Sequence, residues 1–503
     1  MAETIAASRA LAYLRAMSLL KKILIGIVVL VTLAALVLWW LSRPDPAEYS
    51  LADTSGTDPV LAQPDEQLIP TVEIASPVGW GADGAPQAAE GLVVNRFAEG
   101  LDHPRVVYTL PNGDVLVTLT NAPERELAGG WLTNFVAGLL FDEAGAGDPS
   151  ANQLVLLRDT DEDGRADVQR VLREADLDSP SGIAWNDGTL YIANHDEILQ
   201  FAYALGDDAI EGEPEKIADL PPAGNHWMRN LILSEDGTRL FVAVGSASNI
   251  GEGGMDIEEA RAAVHQLNLE TGEARLFAQG LRNPNGLDWN PWTGELWTTV
   301  NERDMLGSDL VPDYMTNVPL GAHYGWPWVY YNDVIDERVE APRPRFLIEY
   351  TRTPEYALGA HTAPLGMVFS QEGARMGDAF GQGAFIARHG SWNRSPAAGY
   401  DVVFVEFDGR GNPVGKPKQV LQSFLTGEGE TFGRPTWVEW DATGALLVSD
   451  DTAGIIWRVL APGAEGSAAI ERNSGERLRP QRQLRGDPRR AFEEGAIRPE
   501  DIM

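Results

Sequence analysis

HWMRNLILSEDGTRLFVAVG, residues 226–245, reads as a strand, a tight turn and a second strand. The D-G pair supplies the positive φ that a hairpin turn requires. The same pattern recurs as HPRVVYTLPNGDVLVTLT (103–120), SPSGIAWNDGTLYIAN (179–194), NPNGLDWNPWTGELWTTV (283–300), APLGMVFSQEGARMGDAFGQGAFIAR (363–388) and RPTWVEWDATGALLVSDD (434–451). A third strand follows several copies, as in EILQFAY (197–203), AVHQLNL (263–269), DVVFVEF (401–407) and GIIWRVL (454–460). One such sheet cannot bury both of its faces, so the copies must stack on one another. Six copies within residues 91–460 predict an all-β fold, a six-bladed β-propeller. The early strand GLVVNRFAE (91–99) is placed to complete the last blade and close the ring.

Outside the repeat, the chain divides by composition. Residues 23–41 (ILIGIVVLVTLAALVLWWL) are uncharged and almost wholly apolar, and as a helix they cover roughly 28 Å, close to a bilayer core. Arg9, Arg15, Lys21 and Lys22 precede this run. The charge asymmetry predicts a single-pass inner-membrane helix, with residues 1–22 cytoplasmic and the propeller facing the periplasm or outside. Residues 42–90, rich in Pro, Asp, Gly and Ala, are expected to be an extended tether. Residues 461–503 form an Arg-rich tail, expected to be disordered or loosely docked.

Seventy-four Asp and Glu against 39 Lys and Arg, a formal charge of −35, exclude a nucleic-acid partner. The absence of cysteine excludes disulfides, zinc-thiolate sites, iron–sulfur clusters and thiol nucleophiles. A propeller concentrates ligand chemistry at one mouth of its channel, so polar loops at strand ends are the candidates. They are GNHWMRNL (224–231), with His226, Arg229 and Asn230; GLRNPNGLDW (280–289), with Arg282 and Asn283; NERDMLGSDLVPDY (301–314); HYGWPW (323–328); ARHGSWNR (387–394); and FGRP (432–435). Histidine suits proton transfer near neutral pH. Clustered arginines suit a ligand bearing carboxylates or phosphates. Separately, DTDEDGRAD (159–167) sets Asp159, Asp161, Asp163 and Asp167 around Gly164 like the start of a calcium loop, although position twelve is Arg170 rather than Glu.

The order HWMRNLILSEDG, GLRNPNGLDW, acidic loop, HYGWPW resembles the glucose/sorbosone dehydrogenase family, nearest its L-sorbosone dehydrogenase-like branch with the quinone-dependent pyranose dehydrogenases. The resemblance implies a six-bladed propeller binding pyrroloquinoline quinone (PQQ) and calcium and oxidising a sugar or sugar aldehyde. It implies His226 as the base and Arg282 as the group polarising a quinone oxygen, with Asn283 beside it. Arg105, Arg229, Asn230, Arg394 and Arg434 would complete the cofactor rim, with Trp392 as a stacking surface. Glu302, Asp304, Met305 and Asp309 would hold the calcium of the quinone site. Ser246 stands where glucose-oxidising relatives support the base with an aspartate, Asp304-Met305 replaces their Gly-Pro, and Phe432 replaces a rim arginine. Without a haem attachment motif, the electrons would leave to a separate acceptor. The competing expectations are a calcium-dependent lactonase-like hydrolase and a non-catalytic ligand-binding propeller.

Overall fold

A computed structural model describes residues 21–37, 39, 43–66, 70–124, 138, 140, 143–331, 333–345 and 347–473. Six sheets stand around one axis, antiparallel except where the short strand Ala322–His323 adds parallel to the edge of the third. Their inner strands are Pro104–Thr109, Gly182–Asn186, Leu231–Leu233, Pro284–Trp289, Pro364–Phe369 and Pro435–Trp440, opening blades one to six in chain order. Each inner strand packs on the inner strands of the blades on either side, and the sixth meets the first. The ring closes as the sequence predicts, because Val93–Glu99 pairs antiparallel with Ile455–Leu460 as the outer strand of the sixth blade.

Blade faces bury alternate apolar residues against their neighbours. Leu116, Leu156, Leu190, Trp297, Phe385 and Leu447 all have no solvent exposure. The inner strands approach one another so closely that some register positions exclude a side chain. A Cβ on Gly286 would lie 2.5 Å from the Leu365 carbonyl oxygen, and one on Gly366 would lie 2.6 Å from the Trp437 Cα. Both neighbours are backbone and cannot swing aside, so the Gly366→Ala variant should lose about 1–3 kcal/mol of stability, read from denaturant melts.

Two expectations from the sequence are corrected. Residues 43–66 and 70–90 are not an extended tether but a strap laid across the ring. Ser55–Gly56 adds a strand to the fourth blade and Gln87–Ala88 one to the fifth. Asp309 accepts the backbone N–H of Glu48 at 2.6 Å and of Tyr49 at 3.2 Å. Asn393 donates to the Thr71 carbonyl at 2.6 Å. Trp80 donates its indole N–H to Asp450 at 2.8 Å and stacks on Phe432 at 5.0 Å, so the residue replacing a rim arginine clasps the strap instead. Pro, Asp and Gly make this stretch look like a linker, but its backbone groups are captured by side chains of the ring.

At the other end, residues 461–473 dock beneath the propeller. Asn473 N–H meets the Trp292 carbonyl at 2.8 Å and Arg472 pairs with Glu235 at 2.9 Å. Residues 474–503 lie outside the described residues. Residues 21–37 form a helix with exposed side chains, and positions 38, 40 and 41 of the expected span lie outside the described residues. Among the described residues no helix is long and apolar enough to cross a membrane, so the predicted span over 23–41 is not supported by the structure.

Candidate active site

Apart from the acidic turn at 159–167, the functional candidates lie at or near the start of an inner strand or in the loop after the strand that follows it. Those positions share one end of the ring, so the residues meet at a single mouth.

His226 precedes the inner strand of the third blade. Its Nδ1 lies 2.9 Å from the Ser246 carbonyl oxygen and 3.0 Å from the Ser246 Oγ. A carbonyl only accepts, and the Ser246 hydroxyl already donates to the Ser248 carbonyl at 2.7 Å. Nδ1 therefore carries the ring proton, which leaves the basic lone pair on Nε2. Gly245 makes the approach of Asn283 to this ring feasible, since a Cβ there would sit 2.6 Å from the His226 Cβ and against the Asn283 Oδ1.

Arg282 is 5% exposed and is not placed to polarise a ligand. Its Nε donates to the Asn249 carbonyl at 3.1 Å. Nη1 donates to the carbonyls of Glu302 at 2.6 Å and Asn301 at 3.3 Å, and Nη2 to Asn249 Oδ1 and Asp304 Oδ2, both at 2.9 Å. All five N–H groups thus have protein acceptors, which makes Arg282 a positioning residue. Asp304 is its hub, with Oδ1 3.3 Å from the Nδ1 of His361, whose Nε2 meets the Gly307 carbonyl at 3.0 Å. Burial works against the Asp304 carboxylate, yet Arg282, His361 and His226 hold it below the usual carboxylate range. Burial likewise works against the His361 imidazolium, and Asp304 raises it above the usual histidine value.

The opposite side of the mouth carries a second cluster. Asp451, 4% exposed, pairs through Oδ2 with Arg105 Nη1 at 2.8 Å and with His389 Nε2 at 2.9 Å. Burial lowers the His389 pKa despite Asp451, and Arg434 and Arg105 lower it further. Arg434 contacts Tyr400 Oη and the Ala75 carbonyl, each at 3.3 Å. Arg105 Nε, Arg434 Nε, Asp451 Oδ1 and Thr452 Oγ1 are buried polar atoms without a partner. Such atoms are rare, and four gathered in one place are what a polar ligand would satisfy.

Several expected site residues do other work. Arg229 is fully buried and donates to the carbonyls of His226, Met228 and Pro221; burial brings its pKa down to about 9. It shapes the His226 loop instead of facing a cofactor. Asn230 lines the channel below the mouth. Arg394 pairs with Asp309 at 2.8 Å and donates to Tyr49 of the strap at 3.1 Å, so both residues fasten the strap. Glu302 is taken by Arg303 at 2.9 Å. The carbonyls of Asp304 and Met305 both accept from Arg338 Nη1 at 3.0 Å. A calcium ion on those two carbonyls would have to displace this guanidinium. Trp392 keeps its ring 36% exposed. Elsewhere, Asp159, Asp161 and Asp167 bring one oxygen each within 4.8 Å of one another, an arrangement compatible with calcium. Asp163 stands apart, turned to the Arg165 N–H at 2.8 Å.

His361, His389, Asp451, Asn249 and Arg338 were not singled out by the sequence reading. A register signal existed for two of them. Asn301, His389 and Asp451 each stand one residue beyond a second strand, the place that Gly245 holds between that strand and Ser246 in the third blade.

A family model described as TrAA12-like matches residues 151–319 and 348–462. The chain belongs to the TrAA12-like family. Among the relatives of this TrAA12-like chain, an uncharacterized protein of Borreliella burgdorferi is 29% identical over 56% of this chain and 76% of its own. A protein of Hypocrea jecorina named pyrroloquinoline quinone-dependent sugar dehydrogenase is 21% identical over 76% of this chain and 91% of its own. The Coprinopsis cinerea pyrroloquinoline quinone-dependent pyranose dehydrogenase is 35% identical, but the match spans 22% of this chain and 17% of that protein. Among solved structures, the Trichoderma reesei carbohydrate-active enzyme of family AA12 superposes with a TM-score of 0.61, at 19% identity over 78% of this chain and 99% of that one. The holo pyranose dehydrogenase PQQ domain of Coprinopsis cinerea gives 0.57, at 19% identity over 77% and 100%. At that identity the likeness concerns the propeller fold.

Proposed function

We propose that this TrAA12-like propeller is a PQQ-dependent oxidoreductase that oxidises a sugar or sugar aldehyde. The observation that carries the reading is the cluster of four unpartnered buried polar atoms around Arg105, Arg434 and Asp451, at the same mouth as a histidine held in its basic tautomer. PQQ is a flat tricarboxylate, and two guanidinium groups with free Nε donors suit its rim. The exposed Trp392 ring offers an apolar surface. The names of the Hypocrea and Coprinopsis relatives support the same cofactor and substrate class.

When bound, PQQ supplies the two-electron acceptor for a hydride leaving the substrate carbon. The chain's own part is proton management and positioning. His226 takes the hydroxyl proton at Nε2, while Ser246 fixes the ring through Nδ1. The cage of Arg282, Asn249, Asp304 and His361 holds the neighbouring wall rigid. A lactonase-like hydrolase finds less support, since Glu302, Asp304 and Asp309 are each engaged by a guanidinium and not left for a metal-bound water.

Loading the purified protein with PQQ and assaying dye reduction against aldoses, sugar aldehydes and lactones tests the assignment. Quinone-dependent oxidation of a sugar is expected, whereas lactone hydrolysis without quinone would overturn it. We also place the propeller outside the cytoplasm, passing electrons to a separate acceptor. That placement rests on the apolar run 23–41 and the basic residues before it. Protease accessibility of intact spheroplasts tests it, since a protected propeller would contradict it.

A further inference from the structure

Below the mouth, the channel encloses a cavity of about 480 Å³. Four inner strands open on Pro104, Pro284, Pro364 and Pro435, and the side chain four residues on faces the same level of the channel wall. In the first and fifth blades that residue is Tyr108 or Val368. In the fourth and sixth it is Asp288 or Glu439. Among the described residues neither carboxylate meets a cation. Asp288 accepts the backbone N–H groups of Trp289 at 2.7 Å and Phe369 at 2.6 Å, and Glu439 accepts that of Trp440 at 2.8 Å. The lining contains no Lys, Arg or His, and Glu372 adds a third carboxylate.

A second, independent feature points to a ligand. Asn230 lines the same cavity, is 2% exposed, and has no partner for either Oδ1 or Nδ2. An amide left so in a folded interior costs free energy unless something polar meets it. Trp289, Trp437 and Trp440 contribute aromatic wall, and Ile470 of the docked C-terminal segment lines it too.

We propose that this cavity is a second binding site, separate from the mouth, for a small organic ammonium ion. Asp288 and Glu439 meet its charge, Asn230 meets a polar group of the ligand, and the tryptophans cover its carbon skeleton. The volume falls within the usual range for small-molecule pockets, and indole faces favour ammonium groups. A bare calcium ion fits less well, because it asks for six to eight oxygens and would leave the aromatic wall unused.

Protonation gives the site a pH signature. Burial, the largest cause, pushes Asp288 up to about 7 and Glu439 up to about 8, with Asp288 adding to the latter. Tyr108, which shares this wall with Asp288, Glu439 and Glu372, is held neutral by burial. Each carboxyl must lose its proton to hold a cation, so affinity should fall as pH drops from 8.5 to 6.

Calorimetric titration of the full-length protein without quinone tests the site, using 1,4-diaminobutane, calcium chloride and glucose as separate probes. The diamine should bind at pH 8.5, several-fold more weakly at pH 6, and at least about tenfold more weakly to the Asp288→Asn/Glu439→Gln variant. Asn230→Leu, which leaves both acids in place, should also weaken it. Absent diamine binding, preference for calcium or glucose, or binding indifferent to these substitutions would overturn the proposal. Because no quinone is present, failure here leaves the assignment of the mouth untouched.

Discussion

Replacing His226 with alanine should lower sugar-dependent turnover by about 10²–10⁴-fold, the usual contribution of a positioned general base. Quinone affinity should change little, because the imidazole is engaged with Ser246 while the cluster that would hold the quinone is built on Arg105, Asp451 and Arg434. The pair of outcomes is informative. If His226 only tied its loop down, truncating it would release the tie from its Nδ1 to Ser246 and would cost stability along with binding. Ser246→Ala is the companion variant. It removes one of the two Nδ1 acceptors and leaves the carbonyl, so turnover should fall far less than in His226→Ala. Stopped-flow reduction of bound quinone separates the chemical step from binding in both variants. Equal losses of binding and turnover in His226→Ala would remove the histidine from the reaction.

Arg303→Met should be the most damaging substitution for stability. Arg303 has no solvent exposure and reaches Glu302 at 2.9 Å, Asp336 at 3.4 Å and the carbonyls of Pro327 and Val329 at 2.5 and 2.9 Å. Methionine fills part of the volume but leaves Glu302 buried without its cation and two carbonyls without a donor. Losing one partner of such a pair costs about 3–5 kcal/mol. Asp336 retains Arg338 at 2.8 Å, so the injury should centre on Glu302. Glu302 shares a loop with Asp304, and activity should fall with stability. Denaturant melts check the first point. A loss below about 1 kcal/mol would show that this buried network is not what holds the mouth together.

The propeller was legible because each blade repeats a local signal, an N-G, D-G, E-G or T-G turn between two alternating strands, that needs no long-range information. The closing strand was legible for the same reason. The site was legible only in part. His226 and Asn283 lie in segments with strong local patterns, and the structure brings them to one mouth. His361, His389 and Asp451 come singly from different blades and meet only through the closure of the ring. Arginine count was a poor guide, since Arg229, Arg282 and Arg394 spend their donors on backbone carbonyls and carboxylates of the protein itself. Their fate depends on which acceptors the fold brings near, which composition does not record. Residues 43–66 and 70–90 show the same limit, because polar composition cannot tell a free linker from one whose backbone is bound by Asp309 and Asn393.

The central claim is that guanidinium groups beside Asp451 cradle a flat polyanion at the mouth that holds His226. Equilibrium titration of PQQ into the wild type and into an Arg105→Ala/Arg434→Ala variant of matching stability tests it most directly. The wild type should saturate at one quinone per chain, and the variant should bind at least about 100-fold more weakly, as expected when two charge-assisted contacts are lost. Equal affinities, or no saturable binding by the wild type, would contradict the account.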